Sequence, residues 1–166
     1  MPNWCVNDVR FSGNEQAIEN VTSLILKMSA LEKATQNGQR PFFLKRDSER
    51  YFFEIKSWRD GNDYLLSYLT KWVPNASDVL RIGQKYNVSF VYDAVEQNNG
   101  IYHRDLFCPG KIPLHSELEL NELMSIDFDP QTDEYLFEGM RFEYVGNCVQ
   151  FILDRKLLLL RNQFWK

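Results

Sequence analysis

Hydrophobic and polar residues alternate most clearly between Tyr51 and Trp72. In the second half of that stretch Tyr64, Leu66, Tyr68, Thr70 and Trp72 fall on one face of an extended chain, and Leu65, Ser67, Leu69 and Lys71 on the other. The first half, YFFEIKSW, is equally rich in aromatic residues, and Asp60-Gly61-Asn62 between them supplies a turn in which φ can be positive at little cost. The pattern predicts an antiparallel hairpin. Bulky apolar groups on both faces suit a central strand covered on two sides.

The period changes along the chain. Val6 to Ser12 alternates as a first strand, with Cys5, Asn7, Val9 and Phe11 on one face and Asp8 and Arg10 on the other. From Glu15 to Ala34, Ile18, Val21, Leu24, Ile25, Met28 and Leu31 recur every three or four residues, which predicts a helix burying one stripe, capped by Asn14 and stopped at Asn37-Gly38. Phe42 to Leu44 is a short apolar run that either extends the hairpin or anchors a loop. A second helix is predicted over Asp78 to Tyr86, although Gly83 weakens it. VSFVYDAV then reads as a strand, Asn98-Asn99-Gly100 as a hairpin turn, and Ile101 to Phe107 as the returning strand.

This order, βαββαβ with one more strand, is the ferredoxin-like plan of the α+β class: an antiparallel sheet, two helices on one face and an added edge strand. The division expected is a ferredoxin-like unit over 1–111 and a C-terminal β-rich extension over 112–166 packed on it. In the extension, Leu114 to Met124 reads as a short helix, Asp127 to Glu138 as an acidic loop, and Glu138 to Val145 and Cys148 to Leu160 as strands. Four consecutive leucines, Leu157 to Leu160, require cover from the open sheet face or from a second subunit.

Composition narrows the partners. A formal charge of −4, with no run of lysine or arginine, disfavours generic attraction to phosphate backbones. Arg40, Lys45, Arg46 and Arg50 leave room for one local basic patch, and Glu117, Glu119, Asp127 and Asp129 for acidic contacts with a basic protein surface. Three cysteines, Cys5, Cys108 and Cys148, do not make a secreted disulfide framework. No apolar segment reaches membrane-spanning length, and MPNWCVNDV does not read as a signal peptide. A cytoplasmic protein is expected, with no membrane partner.

The opening Pro2-Asn3-Trp4-Cys5, with Asn7 and a strand ending at Gly13, resembles the YubB-like, ferredoxin-fold family of plasmid- and phage-associated proteins of unknown function. Thr70, Trp72 and Pro74, followed by a helix and by Tyr92-Asp93, resemble the family's middle, so the likeness spans roughly residues 1–111. The long tail departs from it. The resemblance implies a fold and a mobile-element setting rather than a reaction.

Two groups carry candidate chemistry. Asn3, Trp4, Cys5 and Asn7 crowd the start of the first strand, where a thiol and two amides could shape a small binding pocket; packing and backbone capping is the competing role. His103 and Asp105 share a strand face, with Cys108 and His115 nearby, yet their spacing matches no compact ligand pattern. Neither a metal nor a cofactor is expected. Asp127, Asp129, Asp133 and Glu134 lack the Gly that a calcium loop needs at its sixth position. Phe11, Tyr64, Tyr68 and Trp72 suggest a base-stacking platform, against which the acidic charge weighs, and Gly110-Lys111 is no phosphate loop. The expectation is a non-enzymatic protein-binding or self-associating accessory module. Asn3, Trp4, Cys5, Asn7, Trp72, His103 and Asp105 are its candidate binding residues. An enzyme using Cys5 or the His103/Asp105 strand, and single-strand nucleic-acid binding, are the alternatives.

Overall fold

The computed structural model describes residues 3–44 and 51–165. Lys45, Arg46 and Arg50 of the suggested basic patch lie outside the described residues. The first half follows β1 (Trp4–Ser12), α1 (Glu15–Thr35), β2 (Phe53–Asp60), β3 (Asp63–Lys71), α2 (Ala76–Tyr86), β4 (Ser89–Glu96) and β5 (Ile101–Phe107). Asn14 Oδ1 caps α1 by accepting from the Ala17 amide at 2.9 Å. Gly83 is required in α2: a Cβ there would stand 2.9 Å from the rings of Phe90 and Phe107, so the missing side chain lets the helix press onto the sheet. Phe42 to Leu44 is a loop anchor, with Leu44 buried and Phe43 packed against the core.

All sheet pairings are antiparallel, in the order β2-β3-β1-β4-β5, continued by β6 (Leu114–Glu117). The first four strands in that order, with α1 and α2 on one face, are the ferredoxin-like arrangement. Cys5, Asn7, Val9 and Phe11 point into the core, where Phe11, Tyr68, Tyr92 and Ile18 are completely enclosed.

The tail corrects three expectations. Leu114–Glu117 is a strand, because Leu114, Ser116 and Leu118 are buried and alternate with exposed His115 and Glu117; only α3 (Leu120–Met124) is helical. The acidic loop is a small sheet of β7 (Asp127–Asp129), β8 (Glu134–Phe137) and β9 (Met140–Phe142). Cys148 to Leu160 does not form strands but lies within one helix, α4 (Val145–Phe164). Its buried residues Cys148, Val149, Ile152, Leu153 and Leu157 repeat at helical spacing, and the strand-like alternation of Val149, Phe151 and Leu153 is a by-product of apolar residues at a helix flank. The leucine run divides accordingly: Leu157 is buried, while Leu158 and Leu159 are 47% and 65% exposed. The extension is therefore mixed rather than β-rich.

Helix α4 lies on the sheet face opposite α1 and α2. Ser116 Oγ reaches the Leu153 carbonyl at 3.4 Å, and Asp154 grips Arg104 of β5 at 2.5 Å. A second hydrophobic cluster of Leu118, Phe137, Cys148, Val149, Ile152 and Leu153 joins the small sheet to the large one. Cover by the tail is thus intramolecular, but it reaches only the β5 and β6 side.

Candidate functional site

The clustered residues at the start of β1 separate once the strand forms. Asn7 is fully buried. Its Nδ2 donates to the Cys5 carbonyl at 2.9 Å and to Thr70 Oγ1 at 3.0 Å, while its Oδ1 accepts from the Tyr92 hydroxyl at 2.6 Å. Tyr92 in turn accepts from the Asn75 amide, and the Tyr68 hydroxyl donates to Asn75 Oδ1. This network ties β1, β3, β4 and the entry to α2 together, which is the structural role for Asn7, Thr70 and Tyr92. Cys5 is enclosed beside it; burial pushes its thiol up to about 11, so it is not a poised nucleophile. Trp4 points to the other face, edge-on to Phe53 at 5.2 Å and beneath the Lys71 ammonium. Asn3 contributes its carbonyl, which accepts from the Trp72 amide at 2.8 Å.

Trp72 has φ 71 and sits at the centre of a γ-turn closed by Val73 N–H to the Lys71 carbonyl at 2.9 Å. That hand of γ-turn is strained for a bulky residue. Its ring is 52% exposed. Phe11, Tyr64 and Tyr68 are buried under the helices, so the suggested stacking platform does not form; these three lie on the core face and alternate with residues of the open one.

Cross-strand rows organise the open face. One row runs Trp58, Leu65, Arg10, Val91 and Leu106; the next runs Lys56, Ser67, Asp8, Asp93 and Arg104; a third runs Phe53, Leu69, Val6, Val95 and Tyr102. Between exposed Trp58 and the Asp154 side of α4 lies a cleft of about 580 Å³ with an apolar floor. Arg10 is held by Asp60 and Asp63 at 3.0 and 3.1 Å, and Arg104 by Asp93 and Asp154, each at 2.5 Å. Asp8 stands directly opposite Asp93 and has no hydrogen bond or ion pair among the described residues. Five carboxylates thus face two guanidiniums around the cleft. None of Asp8, Trp58, Leu65 or Val91 stands out from sequence as a site. The only signal was the alternation that put Asp8 on the face away from the core.

The second assembly lies on the α1/α2 side, beyond the helices. His103 and Asp105 share a face of β5, as their spacing predicts, and β6 sets Glu117 opposite His103 and His115 opposite Asp105. Glu117 Oε2 is 3.6 Å from His103 Nε2 and 3.7 Å from His115 Nε2, and the two imidazoles meet edge-on at 5.0 Å. His115 Nδ1 bonds Asp105 Oδ1, which raises its pKa; burial and the neighbouring His115 lower that of His103. Cys108 takes no part in this group. From sequence Glu117 stands only among the acidic contacts, because a helical reading of Leu114 to Met124 does not set it opposite His103; His115-x-Glu117 repeats the spacing of His103-x-Asp105 and is the signal that points to it.

The acidic segment pairs internally. Asp129 Oδ1 accepts from the Gln131 amide at 2.9 Å, and Arg141 pairs with Glu134 at 2.7 Å. No helix among the described residues is long and apolar enough to cross a membrane. Comparison with family models, curated proteins and solved structures finds no match to this chain.

Proposed function

We propose that this chain is a non-enzymatic protein-binding module that captures a segment of a partner carrying a basic residue among apolar ones, on the uncovered half of its sheet. The observation that carries the reading is Asp8, whose carboxylate has no ion pair among the described residues, beside the apolar floor of the cleft. Arg104 already neutralises Asp93, so the Asp8 carboxylate is the charge left over in this row, and an arriving lysine or arginine pairs with it. Trp58 at the rim offers a large, rigid contact surface for the apolar neighbours. The buried, protonated Cys5 speaks against a thiol enzyme. Together with the resemblance to the YubB-like family, the reading is of a cytoplasmic accessory protein of a bacterial mobile element or its host.

A random peptide library, panned against the immobilised chain and counter-selected on Leu65→Glu, tests this. Enriched peptides should pair Lys or Arg with aromatic or aliphatic residues and lose about tenfold in affinity on Asp8→Asn, the loss of one charge-assisted contact. Acidic peptides, or peptides that bind Leu65→Glu equally well, would contradict the reading.

A further inference from the structure

Two rows of the buried sheet face run outward from the core and end in polar groups. One passes from Leu66 through Val9 and Tyr92 to Asp105 and His115, the other from Tyr68 through Asn7 and Ala94 to His103 and Glu117. Two imidazoles and two carboxylates therefore converge on the β5–β6 pair.

We propose that His103 Nε2, His115 Nε2 and Glu117 Oε2 form a binding site for a divalent transition metal of the zinc class. One ligand atom from each of the three residues lies within 4.8 Å of the other two. The two distances from Glu117 Oε2, 3.6 and 3.7 Å, are close to the edge of a tetrahedron with ligand bonds of roughly 2.0–2.1 Å, which is about 3.3 Å. Small rotations of His115 and Glu117, whose side chains are more than half exposed, close the difference. Two nitrogen donors and one carboxylate suit a borderline cation and leave a fourth position to water.

Asp105 supplies an independent argument. Its Oδ1 engages His115 Nδ1, which fixes the tautomer with the Nε2 lone pair directed away from Asp105, the arrangement that carboxylates impose on metal-bound histidines. Its second oxygen, Oδ2, is buried without a hydrogen-bond partner among the described residues, so the carboxylate brings acceptor capacity and negative charge beside the three ligands that His115 only partly offsets. A bound cation offsets that charge. Asp105 is thus a positioning residue, and His103, His115 and Glu117 are the ligands.

The test uses the full chain without an affinity tag. Zinc is titrated in competition with a chromophoric chelator, and cobalt binding is followed by its visible spectrum. One equivalent should bind. Glu117→Gln, at an exposed position, should weaken binding at least tenfold without changing the unfolding midpoint of the metal-free protein; His115→Ala should weaken binding at least tenfold and also lower that midpoint, because it removes the partner of Asp105. Asp105→Asn should weaken it 10- to 100-fold. Cobalt should show no thiolate charge-transfer band. Absence of binding, an affinity in the His115 or Glu117 variant equal to that of the unaltered chain, or a thiolate band would overturn the site.

Discussion

At the scale of single residues, the rare pair Trp4-Cys5 and the nearby Asn7 suggested a pocket, and the fold gives each a separate task. Trp4 faces outward, whereas Cys5 and Asn7 face inward, because neighbours on a strand point to opposite sides. Removing Asn7 leaves Thr70 and the Tyr92 hydroxyl short of partners in the core. Asn7→Ala should therefore cost about 2–4 kcal/mol in urea unfolding, a buried unsatisfied group costing about 1–3 kcal/mol. Trp72→Gly should cost nothing measurable or stabilise, since it relieves the positive φ of an exposed residue; a loss above about 1 kcal/mol would show that the ring packs. Cys5 also sets a pH dependence. Its folded pKa, about 11, exceeds its ordinary 9.0, so the folded state holds a proton that the unfolded chain releases. The contribution is complete below about pH 9 and is lost as pH rises to about 11. Tyr68 and Tyr92, raised by burial, act in the same direction at higher pH. The stability of Cys5→Ala should fall less steeply between pH 9 and 11 than that of the unaltered chain; identical slopes would contradict the assignment.

At the scale of elements, the strands and helices of the first unit were legible because each keeps one period over seven or more residues. The core residues of β1, and those of α1 as far as Met28, follow directly from those periods; Leu31, expected in the same stripe, is exposed, because the last turns of α1 meet β2 through Ser29 and Glu32 instead. The tail was harder for a physical reason. Leu114 to Leu118 carries only two and a half repeats of period two before a helical turn begins, and α4 is apolar on more of its surface than one stripe requires. A long apolar helix offers both periods to the reader. The distinction is testable within the leucine run. Leu157→Ala should cost about 2–5 kcal/mol through lost burial and a cavity, whereas Leu159→Ala should stay within about 0.5 kcal/mol. Equal costs at the two positions would mean that the run is not helical. The candidate sites were less legible than the fold, because both are assembled across strands. His103 and Asp105 were recognisable on their own strand, but His115 and Glu117 join them only through the β5–β6 register, and Asp8 meets Asp93 only through β1–β4.

At the scale of the whole molecule, one sheet carries two unequal layers. Helices α1 and α2 close the core on one face, while α4 closes only the outer strands on the other. The tail supplies β6 to the sheet edge and the second carboxylate partner of Arg104, so its removal exposes the β5 edge and leaves that guanidinium to Asp93 alone. A fragment ending at Lys111 should aggregate or unfold at a lower urea concentration than the full chain; a soluble, equally stable fragment would show that the tail is dispensable. What stays open is the cleft between Trp58 and α4, the centre of the functional reading. Asp8 is exposed and its carboxylate holds no other group of the fold: Asp8→Asn should leave stability within about 0.5 kcal/mol while weakening a basic ligand. The most direct measurement is a methyl-labelled NMR titration of the full chain with a peptide alternating Lys or Arg with aromatic residues. Shifts should concentrate at Leu65, Val91 and Leu158 and diminish in Asp8→Asn. Shifts confined to Leu26 and Leu31 on the outer side of α1, or none at any peptide concentration, would contradict the account.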